Sequence, residues 1–202
     1  MRRLLFSCLA AGFLTPGLAF AGSVTERTTY FMVKGSTFAE IDRALGLKGP
    51  LLSGRERRAG ATEVSFTGDF QYQAQKLGCA LKRTNLRLDL HTTLPRWNAP
   101  SGADAQTKAM WKVLHKDIAT HEAKHGEIAK SWLRRMEKEL IALPPSADCA
   151  KMEAIATRRS NQLLLAHEKA QRDFDMQEAK VVDARLRDKL NAEQNRRVAA
   201  AR

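Results

Sequence analysis

The clearest pattern along the chain is an alternation of apolar and polar residues that begins near residue 62. The apolar positions of this run are Val64, Phe66, Phe70 and Tyr72, and the polar positions between them include Glu63, Ser65 and Asp69. Residues 79–91 show the same period, most clearly at Leu86, Leu88 and Leu90. A period of two is typical of strands with one buried face, so two antiparallel strands are predicted, joined by a turn over residues 73–78.

A shorter strand and a short helix are predicted ahead of this hairpin. Residues 30–33 form an apolar, β-prone run, and Ser36 or Thr37 can then cap a helix. The inner side of that helix would carry Phe38, Ile41 and Leu45. Residues 51–60 are charged and contain glycine, which indicates a loop before the first long strand.

The apolar period changes to three and four residues beyond residue 101, which predicts a long amphipathic helix. Residues 101–143 contain no proline, and Pro144-Pro145 would end the helix. The recurring apolar residues are Trp111, Leu114, Ile118, Ile128, Trp132, Met136 and Leu140. Because the same rhythm reaches positions 121 and 125, the histidines at these positions are expected on the buried stripe of the helix.

A second long helix is predicted from Cys149 to about residue 190, with Ser146 or Asp148 as its cap. Its predicted inner face is Met152, Ile155, Leu163, Ala166 or His167, Ala170, Phe174 and Val181. The two helices would fold back on each other near Pro145. The predicted fold class is therefore α+β: a small antiparallel sheet with one short helix, followed by a long antiparallel helical hairpin.

One stretch of the first long helix carries candidate chemistry. Residues 121–125 read His-Glu-Ala-Lys-His, the H-E-x-x-H pattern. Four helical residues turn through about 400°, so His121 and His125 share a face and can hold one Zn²⁺ through ring nitrogens. Glu122 would stand beside the metal and accept a proton from water. The alternative interpretation is a hydrogen-bonded pair of core histidines.

A third metal ligand is suggested by the geometry of the hairpin. His125 lies 20 residues before Pro145 and His167 lies 22 residues after it. Antiparallel packing would bring the two to about the same height, so His167 is a candidate third ligand. The alternative is that His167 caps the surface of the hairpin. His115 is expected to face elsewhere, and His91 receives no assignment.

The N-terminal 21 residues have the features of a secretory signal peptide. Basic residues at Arg2-Arg3 precede an apolar run, and Ala19-Phe20-Ala21 forms a cleavage signal before Gly22. The run is too short to span a membrane. The mature protein is therefore expected to be secreted or periplasmic, without a transmembrane segment. It would comprise one domain over residues 22–190, with an α/β part at 22–100 and the hairpin at 101–190, and a basic frayed tail at 191–202.

Two cysteines, Cys79 and Cys149, remain after removal of the predicted signal peptide. In an oxidising compartment an even pair indicates a disulfide, which would connect the N-terminal half to the helical half. The alternative is a pair of free, buried thiols.

The formal net charge is +12, and it would be +10 without Arg2 and Arg3. A basic exported protein can bind anionic envelope surfaces or nucleic acid. The positive residues of this chain are spread out, however, which is typical of a solvated surface. The charge therefore does not favour nucleic acid as a partner. The H-E-x-x-H pattern instead favours a peptide or protein substrate.

Several short segments together resemble the DUF922 family of predicted secreted zinc-dependent proteases, over about residues 30–186. The segments are Lys34-Gly35-Ser36-Thr37, Gly49-Pro50, Thr93-Leu94-Pro95-Arg96-Trp97, His121-Glu122-Ala123-Lys124-His125, and Leu143-Pro144-Pro145 followed by Cys149. The resemblance implies a metallopeptidase of zincin type, in which His121 and His125 match the zinc ligands and Glu122 matches the general base. Cys79 and Cys149 match the family's cysteines.

The chain departs from the family pattern at one place. The family continues with Tyr-Asp followed by His-Gly, and here Phe174-Asp175 holds the first position while Lys180-Val181 holds the second. A third ligand would then come from His167, Asp175, Glu178 or another group. Two functions are consistent with these features: an exported zinc metallopeptidase, and a non-catalytic envelope binding or assembly protein with a degenerate or structural metal site.

Overall fold

A computed structural model describes residues 22–52 and 56–200 of the chain. The predicted signal peptide at residues 1–21 lies outside these described residues. The first elements are strand β1 (Ser23–Val33) and helix α1 (Phe38–Lys48). The Thr37 hydroxyl accepts from the Glu40 amide and the Glu40 carboxylate accepts from the Thr37 amide, which forms the capping box that starts α1.

Two short strands, β2 (Leu51–Leu52) and β3 (Glu56–Arg57), pair within the segment that was predicted as a loop. The predicted hairpin follows as β4 (Ala61–Gln75) and β5 (Gly78–Trp97), which are antiparallel. β5 extends to Trp97, beyond the predicted end of the strand at residue 91.

The main sheet has three strands in the order β1-β5-β4. β1 runs parallel to β5, so the sheet is mixed, and the prediction of an entirely antiparallel sheet needs this correction. The physical reason is the connection after β1. This connection includes α1 and leads to β4, at the opposite edge of the sheet from β1. The β4–β5 hairpin then brings β5 back between them, so β5 runs in the same direction as β1.

Two long helices follow the sheet: α2 (Ala105–Ile141) and α3 (Cys149–Ala200). The Asp104 side chain caps α2 and the Asp148 side chain accepts from the Lys151 amide at the start of α3. The hydrogen bonds and ion pairs between α2 and α3 connect residues in antiparallel order. None of the helices in the described part of the chain is both long enough and apolar enough to cross a membrane.

Helix α3 continues to Ala200, so the frayed tail predicted from residue 191 is wrong for the described part of the chain. The segment beyond Leu190 is rich in alanine, glutamate, glutamine and arginine, which are strong helix formers. It also lies beside the start of α2, where Arg197 and Val198 share a groove with Gln106 and Met110. Helix-forming residues and the neighbouring start of α2 therefore account for the helical end of α3, although this segment has no apolar stripe.

The main core lies between the β4–β5 hairpin and the two long helices. Its buried members include Leu86, Leu88 and Leu90 of β5, Ala129, Leu133, Met136 and Leu140 of α2, and Met152, Ala156 and Leu163 of α3. A smaller cluster joins β1, α1 and the end of β5 through Val33, Ile41, Leu45 and Trp97. Two residues of the predicted inner face of α3, Ile155 and Val181, are exposed instead.

The turn between α2 and α3 is attached to the start of β5. Cys79 and Cys149 form a disulfide with a Cα–Cα distance of 4.9 Å, and Cys79 and Ser146 exchange two main-chain hydrogen bonds of 2.8 Å. Gly78, at φ 121°, allows this approach, because a Cβ atom there would lie 2.1 Å from the Ser146 main-chain oxygen. The covalent bond and the bridge together hold the end of the helical hairpin against the sheet.

Removal of the disulfide should therefore destabilise the protein. The bridge spans a sequence separation of 70, and a loop of this size contributes about 4 kcal/mol in the chain-entropy model. Denaturant unfolding of the mature protein with and without a reductant should show a loss of this size. The double variant Cys79→Ser, Cys149→Ser should equal the reduced protein and no longer respond to the reductant. Equal free energies of unfolding for oxidised and reduced protein would contradict this expectation.

Candidate metal centre

Helix α2 contacts the sheet with one face and α3 with another. Its most buried stripe in this region contains Ile118, Glu122, Gly126 and Ala129. His121 and His125 are only half-buried and point toward α3. The sequence pattern predicted His121 and His125 on the buried stripe of the helix. In the structure Glu122 lies on that stripe instead.

Three possible ligand atoms converge between α2 and α3. The Nε2 atoms of His121 and His125 are 3.1 Å apart. The Asp175 Oδ1 atom lies 3.0 Å from the Nε2 of His125 and 3.4 Å from the Nε2 of His121. Among the described residues, His121, His125 and Asp175 form a group that could hold a metal ion.

The distances between these three atoms fit a metal ion with tetrahedral coordination. Zinc binds histidine nitrogen and carboxylate oxygen at about 2.0–2.2 Å, so two tetrahedral ligands lie about 3.3 Å apart. The three edges of the triangle, 3.1, 3.0 and 3.4 Å, agree with this separation. Three protein ligands also leave a fourth position for water or substrate, as in catalytic zinc sites. The donor set therefore fits a single small divalent cation.

His167 lies outside this group of ligand atoms. It is buried, with its ring edge-on to Phe66 at a centroid distance of 4.9 Å. The Nε2 of Gln171 lies 2.9 Å from the Nε2 of His167, while the Oε1 of Gln171 lies 2.6 Å from the Nδ1 of His125. Gln171 thus stands between the two histidines, and Asp175 takes the position predicted for His167. Burial lowers the pKa of His167, which favours its neutral form.

Phe174 forms an apolar wall against both candidate ligand rings. It stacks on His121 at a centroid distance of 4.9 Å and meets the ring of His125 edge-on at 5.0 Å. These contacts restrict the rotation of the two imidazoles. Asp175 remains 53% exposed, so the centre is open to solvent on that side.

Glu122 lies in the same cleft as the two histidines and faces the first residues of β4. Its Oε2 accepts a hydrogen bond of 2.9 Å from the hydroxyl of Thr62. Burial raises the pKa of Glu122, although the Thr62 hydrogen bond and the neighbouring histidines act in the opposite direction. The cleft has a volume of about 520 Å³ and is also lined by Gly60, Val64 and Gln171.

Two other histidines lie away from the centre. His115 packs against the ring of Trp111, so it faces away from His121 and His125 as expected. His91 lies on the sheet, where its Nε2 is 2.8 Å from the Thr29 hydroxyl.

Sequence reasoning missed Thr62 and Gln171 as site residues. Thr62 carries no distinguishing signal, since its contact with Glu122 depends on how the sheet meets α2. A signal for Gln171 did exist. Gln171, Asp175 and Glu178 are spaced by four and three residues, so they form a polar stripe on one helix face directly after His167.

The arrangement can now be compared with known proteins. Residues 28–181 match the family described as "Bacterial protein of unknown function (DUF922)". The chain belongs to this family. The matched region contains the H-E-x-x-H helix, Asp175 and the exposed Lys180. No curated protein matches the chain, and no solved structure does either.

The close approach of β4 to Glu122 requires a residue without a side chain at position 60. A Cβ atom on Gly60 would lie 2.8 Å from the Ile118 Cγ2 and 3.0 Å from the Glu122 Oε1. Gly60→Ala should therefore lower the free energy of unfolding by about 1–3 kcal/mol, the usual cost of overpacking.

The matched control for this change is Gly102→Ala, because a Cβ atom there meets nothing within 4 Å. Denaturant unfolding of both variants tests the contact. Equal stabilities for the two would show that β4 does not approach α2 this closely.

Proposed function

We propose that this chain is an exported zinc-dependent metallopeptidase that hydrolyses peptide bonds, with His121, His125 and Asp175 as ligands and Glu122 as general base. The observation that carries the proposal is the triangle of three donor atoms with edges of 3.0–3.4 Å beside a buried glutamate. The donor set fits the ion, and the glutamate lines the same cleft, which supports a hydrolytic function.

The identity of the metal is argued from the ligands and their neighbour. Two histidines and one carboxylate suit zinc, and they also suit non-haem Fe²⁺ in oxygenases. Glu122 favours the hydrolytic alternative, since an acid next to the first histidine of H-E-x-x-H serves to remove a proton from water. Zinc is therefore the proposed cofactor.

When bound, zinc would polarise the scissile carbonyl group and lower the pKa of a coordinated water molecule. The carboxylate of Glu122 would accept a proton from the attacking water and later donate it to the leaving amine nitrogen. The Thr62 hydroxyl holds this carboxylate in place at 2.9 Å. Burial raises the pKa of this carboxyl in the metal-free protein.

An extended peptide is the substrate that the cleft suits. β4 is an edge strand of the main sheet, and Ala61, Thr62 and Val64 of this strand line the cleft beside Glu122. A peptide could add to this edge by main-chain hydrogen bonds, which would place one peptide bond next to the metal. This mode would recognise backbone rather than a particular side chain.

Export is proposed from the predicted signal peptide and the disulfide. Structural disulfides form and persist in oxidising compartments such as the periplasm or the extracellular space. The bond between Cys79 and Cys149 is therefore consistent with a secreted or periplasmic protein.

The alternative function is a non-catalytic envelope binding or assembly module. It is favoured by Lys180, which stands where the resembled pattern has a histidine, and by the long basic C-terminal helix. The position of Asp175 weakens the argument from Lys180, because Asp175 lies within 3.4 Å of both histidine nitrogens and completes a three-ligand set.

Metal analysis of the purified mature protein is the first test. About one zinc ion per chain is expected, as in a three-ligand catalytic site. His121→Ala and Asp175→Ala should lose this stoichiometric zinc, whereas His115→Ala should keep it, because His115 packs on Trp111 away from the centre. His167→Gln tests whether the third ligand is His167 or Asp175. Because Asp175 is the proposed ligand, this variant should also keep the ion. A folded wild-type protein that binds no metal would favour the non-catalytic module.

Glu122→Gln tests the proposed general base. The variant should keep the zinc but hydrolyse an unfolded, fluorescence-quenched polypeptide on the order of 100- to 10,000-fold more slowly. The matched control is Glu127→Gln on the same helix, since Glu127 is exposed and pairs with Lys124. Wild-type activity in the Glu122 variant would remove this residue from the mechanism.

A further inference from the structure

Each candidate ligand ring uses one nitrogen at the centre and turns the other toward α3. The Nδ1 of His125 lies 2.6 Å from the Oε1 of Gln171, and the Nδ1 of His121 lies 3.7 Å from the Oε2 of Glu178. A neutral imidazole can bind a metal only through the nitrogen that carries no proton. Gln171 is within hydrogen-bond distance, so it favours the form of His125 in which Nε2 is free to bind, against the pull of the Asp175 carboxylate 3.0 Å from that Nε2. Glu178 is beyond hydrogen-bond distance and acts on His121 as a nearby negative charge.

The orientation of the Gln171 amide follows from a main-chain contact. Its Nε2 donates to the main-chain oxygen of His125 at 3.1 Å, and this oxygen can only accept. The Oε1 must then be the atom next to the Nδ1 of His125, so this nitrogen must carry the proton. His167 supports the same orientation, because its Nε2 lies 2.9 Å from the amide nitrogen.

Glu178 is held by an ion-pair network that begins on α2. Arg185 donates to Glu178, with an Nη1–Oε2 distance of 2.7 Å. The same guanidinium donates to both carboxylate oxygens of Asp117, at 3.1 and 3.2 Å. Lys189 adds a contact of 2.7 Å to Asp117, whose side chain is only 8% exposed. Arg185 is thereby fixed at both ends, which restricts where the Glu178 carboxylate can lie.

We propose that Gln171 and Glu178 are positioning residues, which hold His125 and His121 as Nε2 ligands from the same helix that supplies Asp175. The proposal rests on the metal centre put forward above. It gives one function to the whole polar stripe of α3, with Asp175 as ligand between the two acceptors. It also gives His167 a function, as the residue that fixes the amide of Gln171.

The tautomer of His125 tests the part played by Gln171 without any metal. Long-range ¹H–¹⁵N correlation spectra of metal-free protein, recorded well above the ordinary histidine pKa, distinguish a proton on Nδ1 from one on Nε2. In the Asp175→Ala variant, which removes the carboxylate that competes for Nε2, His125 should carry its proton on Nδ1. Adding Gln171→Met to this variant keeps the length of the side chain but removes the acceptor, so it should shift His125 toward the other tautomer.

Zinc affinity tests both positioning residues. Competition with a chromophoric chelator should show zinc binding weakened about 10- to 100-fold in Gln171→Met and in Glu178→Met, the usual effect of removing such an acceptor. Gln171→Glu and Glu178→Gln keep an acceptor oxygen and should recover most of the affinity. The matched control is Gln177→Met, an exposed position on the same helix, which should bind zinc like the wild type.

The outcomes separate this inference from the proposed function. If the wild type binds zinc and both methionine variants bind it equally tightly, the positioning roles are wrong and the metal centre stands. If the wild type binds no zinc, the metal centre and the role of Glu178 are wrong together. The tautomer of His125 still tests Gln171 in that case, and a proton on Nε2 in the Asp175→Ala variant would overturn the role of Gln171.

Discussion

The packing of α2 on two sides is the constraint on which the candidate site depends. Successive residues of a helix are about 100° apart, so His121 and Glu122 face different neighbours. Glu122 meets the sheet at Thr62 and Gly60, while His121 and His125 meet α3. Glu122 and the two histidines therefore line the same cleft from different faces of α2, and neither can move without disturbing one of the two packing faces.

The position of α3 along α2 is equally important, because Asp175, the third residue of the candidate group, belongs to α3. A shift of one helical turn would move Asp175 by about 5.4 Å, well outside the ligand group. The disulfide at Cys149 and the bridge at Ser146 attach the beginning of α3 to β5. This attachment sets the register between the two helices from one end, and the packing of Met152, Ala156 and Leu163 maintains it toward the site.

The other end of the contact between α2 and α3 is held by charges rather than by apolar packing. Burial raises the pKa of Asp117, but hydrogen bonds from Arg185 and Lys189 outweigh this effect, so the pKa is lowered overall. The carboxylate therefore stays charged and keeps Arg185 in place. A buried charge of this kind is tolerated only where its partners satisfy it. One of these partners, Arg185, also contacts Glu178, which lies near His121 of the candidate site.

The sequence by itself determined the local elements and half of the site. Period-two residues such as Val64 and Leu88 indicated the hairpin, helical spacing indicated both long helices, and the His121–His125 spacing placed two nitrogens on one face. What it could not determine was the partner of each face: β1 pairing parallel to β5, Asp175 in the place of His167, or Thr62 against Glu122. Periodicity shows which side of an element is buried but not which residue of another element it meets. That choice depends on the register and crossing of separate segments, which only the packed tertiary structure determines.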